Sequence, residues 1–195
     1  MHTRNIITYI SVLVIIGFFI LSGCKKKYTP KPRGYFRIDL PEKSYQKLES
    51  GYPYSFSYPD YALIKKDSSN AHEEYWINIE YPNLNGKIHI SYIQVNKNLE
   101  KILEDTRKLA YKHTIKADAI NETMFIKPEK KVYGILYDIE GNAASSVQFF
   151  LTDSINNYLR GALYFNVEPN KDSLAPVLDF VKEDIIVLIE SFEWK

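Results

Sequence analysis

The sequence predicts an α+β fold, a mainly antiparallel sheet of five to seven strands packed with two principal helices. Three observations lead there. Residues 76–81 and 87–92 alternate strictly between apolar and polar side chains, the period of a half-buried strand. Residues 132–167 hold three more strand-like runs joined by short turns. Residues 99–113 and 173–190 carry their apolar side chains at helical spacing instead. Helices set outside a largely antiparallel sheet define the class.

Taken in order, residues 35–40 and 54–64 are rich in β formers but interrupted by prolines, which makes them edge strands. Residues 76–81 and 87–92 flank the turn-rich stretch Pro82, Asn83, Leu84, Asn85, Gly86, so they form a hairpin. The expected register sets Ile77 opposite Ile90 and Ile79 opposite Ile88. It also sets Glu80 opposite Lys87 on the other face, a favourable cross-strand pair. Asn98 is placed to cap the first helix, whose apolar positions are Leu99, Ile102, Leu103, Leu109 and Ala110.

Beyond that helix, 132–139 carries Tyr133, Ile135, Tyr137 and Ile139 on one face. A Gly141-Asn142 turn leads to 146–152, and Ser154 to Asn157 lead to 158–167, with Leu159, Leu163, Phe165 and Val167 on one side. Connections this short make an antiparallel meander. Asp172 or Ser173 is the expected cap of the last helix, with Pro176 tolerated in its first turn. Leu174, Val177, Leu178, Val181, Ile185 and Leu188 form its stripe. Trp76, Phe150, Tyr158 and Tyr164 fall on strand faces opposite the main apolar one. A bare face of this kind is a protein-binding patch, and a covered one is second-layer core. With two helices to place, the covered reading is preferred.

The N-terminus has a different character. Arg4 is followed by an almost wholly apolar run from Ile6 to Leu21, then by Ser22, Gly23 and Cys24. A basic start, an apolar middle and small residues before the cut are the layout of a secretory signal. An uncleaved membrane helix is the competing reading, since such a run is at the short end of what a ~30 Å hydrocarbon core requires. The tetrad Leu21-Ser22-Gly23-Cys24 resembles the bacterial lipobox and decides between them. It implies a signal peptide over 1–23 and a lipid on Cys24, the sole cysteine, which leaves no intramolecular disulfide. Residues 24–34, basic and proline-containing, then form a lipidated tether that extends at about 3.1 Å per residue where polyproline-like. Residues 35–195 are expected to form a single globular domain. Lys25, Lys26 and Lys27 either touch anionic head groups or act as a solubilising spacer. No acidic cluster follows Cys24, which argues for the periplasmic side and leaves inner against outer membrane open.

The chain carries a net charge of +1, and losing Arg4 with the signal balances it. No basic excess points to nucleic acid. His72 is followed by Glu73 and Glu74, but no second histidine stands four residues on, so zincin spacing fails. His89 falls on the polar side of its strand. His113 ends the first helix, where a cation suits the helix dipole. Nucleophile elbows and phosphate-binding glycine loops are missing from the sequence. The expectation is a non-enzyme without cofactor or metal, in which Cys24 is the one assigned site residue.

Four stretches carry a family resemblance. They are Pro30-Lys-Pro-Arg-Gly-Tyr-Phe-Arg-Ile-Asp-Leu-Pro41, His113-Thr-Ile-Lys-Ala-Asp-Ala-Ile120, Gly161-Ala-Leu-Tyr-Phe-Asn-Val-Glu-Pro-Asn-Lys-Asp-Ser-Leu174 and Ser191-Phe-Glu-Trp194. Together with the lipobox they resemble the gliding motility lipoproteins of the GldD type in Bacteroidetes. The resemblance implies a non-enzymatic accessory role in gliding and type IX secretion, with other envelope proteins as partners and the lipid anchor as membrane contact. Only Cys24 carries over as a functional position. The element order is also similar to a PsbP/Mog1-like sandwich, an analogy of fold alone. Two other classes stay open. A carrier of a small apolar ligand or lipid would show one large apolar pocket between sheet and helix. An envelope hydrolase would bring His72, His89 or His113 to an acid and a hydroxyl.

Overall fold

A computed structural model describes residues 38–195 apart from 49 and 71. Residues 38 to 195 fold as one compact unit. Its strands are β1 (Tyr45–Lys47), β2 (Tyr54–Ser55), β3 (Ser57–Pro59), β4 (Leu63–Lys66), β5 (Ile77–Tyr81), β6 (Gly86–Gln94), β7 (Ala117–Lys127), β8 (Val132–Gly141), β9 (Val147–Thr152), β10 (Asn157–Phe165) and β11 (Glu193–Trp194). Helix α1 (Leu99–Tyr111) lies between β6 and β7, and α2 (Lys171–Ser191) lies between β10 and β11. Seven strands form one antiparallel sheet in the order β4-β5-β6-β10-β9-β8-β7.

Alternation along the strands builds a core on each face. Ile77, Ile79, Ile88, Ile90, Leu136, Phe149, Leu151, Leu159 and Leu163 meet Val177, Val181, Ile185, Leu188 and Ile189 of α2. Their neighbours in sequence, Phe150 and Tyr158, point the other way. With Tyr137 and Ile139 they pack under Ala110, Leu99, Ile102 and Leu103 of α1. Tyr158 also hydrogen-bonds Thr106 of that helix. The covered reading therefore holds for Phe150 and Tyr158. Trp76 is half-buried, with its indole N–H donating to the Tyr92 carbonyl at 2.8 Å. Tyr164 is half-buried and lies on an open part of the same face.

The hairpin register is the expected one, with Ile77 opposite Ile90, Ile79 opposite Ile88 and Glu80 opposite Lys87. Several other expectations need correction. Ile38 to Leu40 are not a strand, and residues 35–37 lie outside the described residues. The 54–64 run breaks into β2, β3 and the start of β4, and only β4 joins the large sheet. There Pro59 and the turn at Asp60 and Tyr61 interrupt the ladder. Strand β7 was not anticipated. Helix α1 ends at Tyr111, two residues early, and His113 sits in a 3-10 turn. Leu109 of its supposed stripe is exposed. Asn98 stands at the N-cap without a side-chain cap bond, because its Oδ1 accepts from the Asn96 N–H instead. Helix α2 is capped by Asn170, whose Oδ1 accepts from the Ser173 N–H at 3.2 Å, not by Asp172 or Ser173. That earlier start moves Pro176 out of the first turn. Val167 lies past β10 and is exposed.

Candidate functional site

Cys24 lies outside the described residues. The most unusual chemistry among the described residues surrounds Asp184. It sits on α2 one turn after Val181 and one turn before Leu188, both core residues, so helical spacing drives it inward. Its side chain has no exposed surface. A carboxylate taken so fully from water needs several donors to remain there. Lys43 Nζ supplies one at 2.6 Å, the Tyr45 hydroxyl one at 2.9 Å and the Tyr61 hydroxyl one at 2.8 Å. Lys43 also donates to the Phe180 carbonyl at 2.6 Å and lies 3.6 Å from the centre of the Phe180 ring.

Burial and the Asp184 charge hold the hydroxyls of Tyr45, Tyr61 and Tyr81 well above the usual phenol range. They stay protonated, and those of Tyr45 and Tyr61 act as fixed donors to Asp184. The cluster fastens Lys43 and Tyr45, before β2, and Tyr61, after β3, to the last helix. Such an arrangement is a clasp. Sequence reasoning missed it, although an acid inside an apolar stripe was its visible trace.

The histidines belong to separate elements. His72 is exposed in the β4–β5 loop. His89 is half-buried on β6, edge-on to Tyr164 with ring centres 5.5 Å apart. Burial and neighbouring Lys87 push its pKa below 6.5, so it is neutral near pH 7. Both line an open groove of about 770 Å³ with Lys65, Glu80 and Lys87, on the sheet face that α1 leaves uncovered. Lys65 is paired with Glu80 at 2.6 Å. Among the described residues no group of three or more His, Cys, Asp or Glu is placed to hold a metal ion.

Between sheet and helix, a crevice of about 230 Å³ opens where the end of β8 meets the start of α2.

No curated protein matches the sequence. Among solved structures, the chain is similar to cyanobacterial PsbP (CyanoP) from Synechocystis. The two share 11% identity, with 85% of this chain and all of that one covered, at a TM-score of 0.48. The fold assignment itself rests on the seven-stranded antiparallel sheet and its two helices. The sequence also matches the family model for the gliding motility lipoprotein GldD over residues 25–194, most of the chain, including the last helix with Asp184 and the segment it clasps. The protein belongs to the GldD gliding motility lipoprotein family.

Proposed function

We propose that this protein is a lipid-anchored, non-enzymatic accessory component of the gliding and type IX secretion machinery, held on the periplasmic side of a membrane. In this reading residues 1–23 are removed, Cys24 bears the lipid, 24–34 are the tether and 35–195 the domain that meets other envelope proteins. Family membership over residues 25–194 is the observation that carries it. The lipobox-like tetrad ending at Cys24, directly before the matched region, supports the anchor. Among the described residues no helix is long and apolar enough to cross a membrane.

Confinement to a membrane raises the effective concentration of a protein for a neighbour in the same plane, so a modest interface is well occupied. The test is genetic. Deleting the gene should stop surface gliding in a source organism that glides and should retain normally secreted cargo in the envelope. Wild type should restore both and a soluble form lacking Cys24 should do so poorly. A deletion strain that spreads and secretes normally refutes the role.

A further inference from the structure

The two edges of the large sheet are built differently. At one edge β4 is four residues long and carries Lys65 and Lys66, and a short cationic edge discourages pairing with another chain. At the other edge β7 runs for 11 residues, and among the described residues only β8 pairs with it. A bulge between Ala117 and Ala119 disturbs its first residues, and Pro128 ends it. Among the described residues, no proline or further bulge interrupts the stretch between. Alternate N–H and C=O groups of such a strand face outward as a template.

Two large apolar side chains stand exposed in the second half of this edge strand. Met124 is 71% exposed and Ile126 62%, both on the face that α1 partly covers. Directly opposite them on β8 stand Ile135 and Tyr133, each half-buried, so an apolar shelf runs inward from the edge. The α1 cover ends at Tyr111, whose hydroxyl donates to Glu122 Oε1 at 2.9 Å and fixes that carboxylate beside the shelf.

We propose that β7 is a docking site for an extended segment of a different envelope protein, added as an eighth strand. Its apolar residues would alternate to meet Met124 and Ile126, and a lysine or arginine would face Glu122. Charge argues against a second copy as occupant. Antiparallel self-pairing over the whole strand, 117 against 127, sets Glu122 on Glu122 and Ile126 on Asp118. Shifting the register to bring Met124 opposite Ile126 leaves only 123–127 paired, because the chain turns at Pro128. A foreign strand with a basic residue satisfies Glu122 without either cost.

This inference rests on the reading that the protein works by binding envelope proteins, and its test is separate. Two labelled nonapeptides alternating Thr and Ile, one with a central Lys and one with a central Glu, are titrated with the full lipidated protein in nanodiscs. The Lys peptide should bind at least tenfold more tightly, and Glu122→Lys should reverse the preference. Met124→Lys with Ile126→Lys should weaken both peptides at least tenfold at unchanged thermal stability. Equal affinities, or affinities that the β7 substitutions leave unmoved, overturn the docking site. So does a wild-type dimer that the double substitution dissociates, since the occupant is then a second copy. A deletion strain that glides would remove the accessory role without touching these affinities, so the two failures are distinguishable.

Discussion

Lys43 Nζ lies 2.6 Å from Asp184 Oδ1 across 141 residues of chain, and the carboxylate it meets has no exposed surface. Removing one partner from a buried ion pair strands the other, at a cost of about 3–5 kcal/mol. Lys43 keeps 25% of its side chain exposed, so the lower end applies. Lys43→Met should therefore cost about 3 kcal/mol in urea unfolding. Adding Asp184→Leu should recover part of that loss, and a double variant less stable than Lys43→Met alone would show that the charge pair is not what matters.

Gly134 on β8 makes a second prediction. A Cβ there would stand 2.1 Å from the Phe150 carbonyl oxygen, a backbone atom that cannot swing aside. Overpacking of this kind costs about 1–3 kcal/mol and sometimes more. Gly134→Ala should fall at or beyond the top of that range, read as a lowered urea midpoint. An unchanged midpoint would mean that β8 and β9 are not held as closely as the geometry shows.

His89 gives a pH dependence whose sign follows from its surroundings. Its folded pKa lies below the ordinary 6.5 through burial and the Lys87 charge. Between those two values the unfolded chain binds more protons than the folded one, so stability rises with pH and falls on acidification. Melting of wild type and His89→Gln at pH 7 and pH 5.5 should show a smaller acid loss in the variant. Equal losses would place the titrating group elsewhere.

Cys24 is tested by labelling cells with a fatty-acid analogue. Cys24→Ala should take up no label and should accumulate as unprocessed precursor. Full incorporation in the variant would sink the lipid anchor.

The sequence revealed most where alternation and charge agreed. In the β5–β6 hairpin only one register buries four isoleucines together while pairing Glu80 with Lys87, and the structure has it. It revealed least at β7. As an edge strand β7 has one neighbour and most of its residues are exposed, so no apolar period marks it. Caps were misplaced where neighbours offered equivalent groups, as Asn170, Asp172 and Ser173 do at the start of α2. Asp184 is legible only as an anomaly, because its partners Lys43, Tyr45 and Tyr61 stand far away in sequence. Two helices predict a covered aromatic face, yet α1 reaches Phe150 and Tyr158 and leaves Tyr164 in an open groove.

The last strand of the domain settles when the domain can finish folding. Glu193 and Trp194 of β11 pair with Ser55 and Tyr54, the Lys195 N–H donates to the Pro53 carbonyl at 3.0 Å, and Lys43 waits for Asp184, 141 residues further on. A chain that emerges N-terminus first, from a ribosome or through a translocation pore, meets these partners last. Contacts this distant in sequence also form slowly. The main core has no lid until α2 arrives, so the domain stays threadable until its last helix has been delivered.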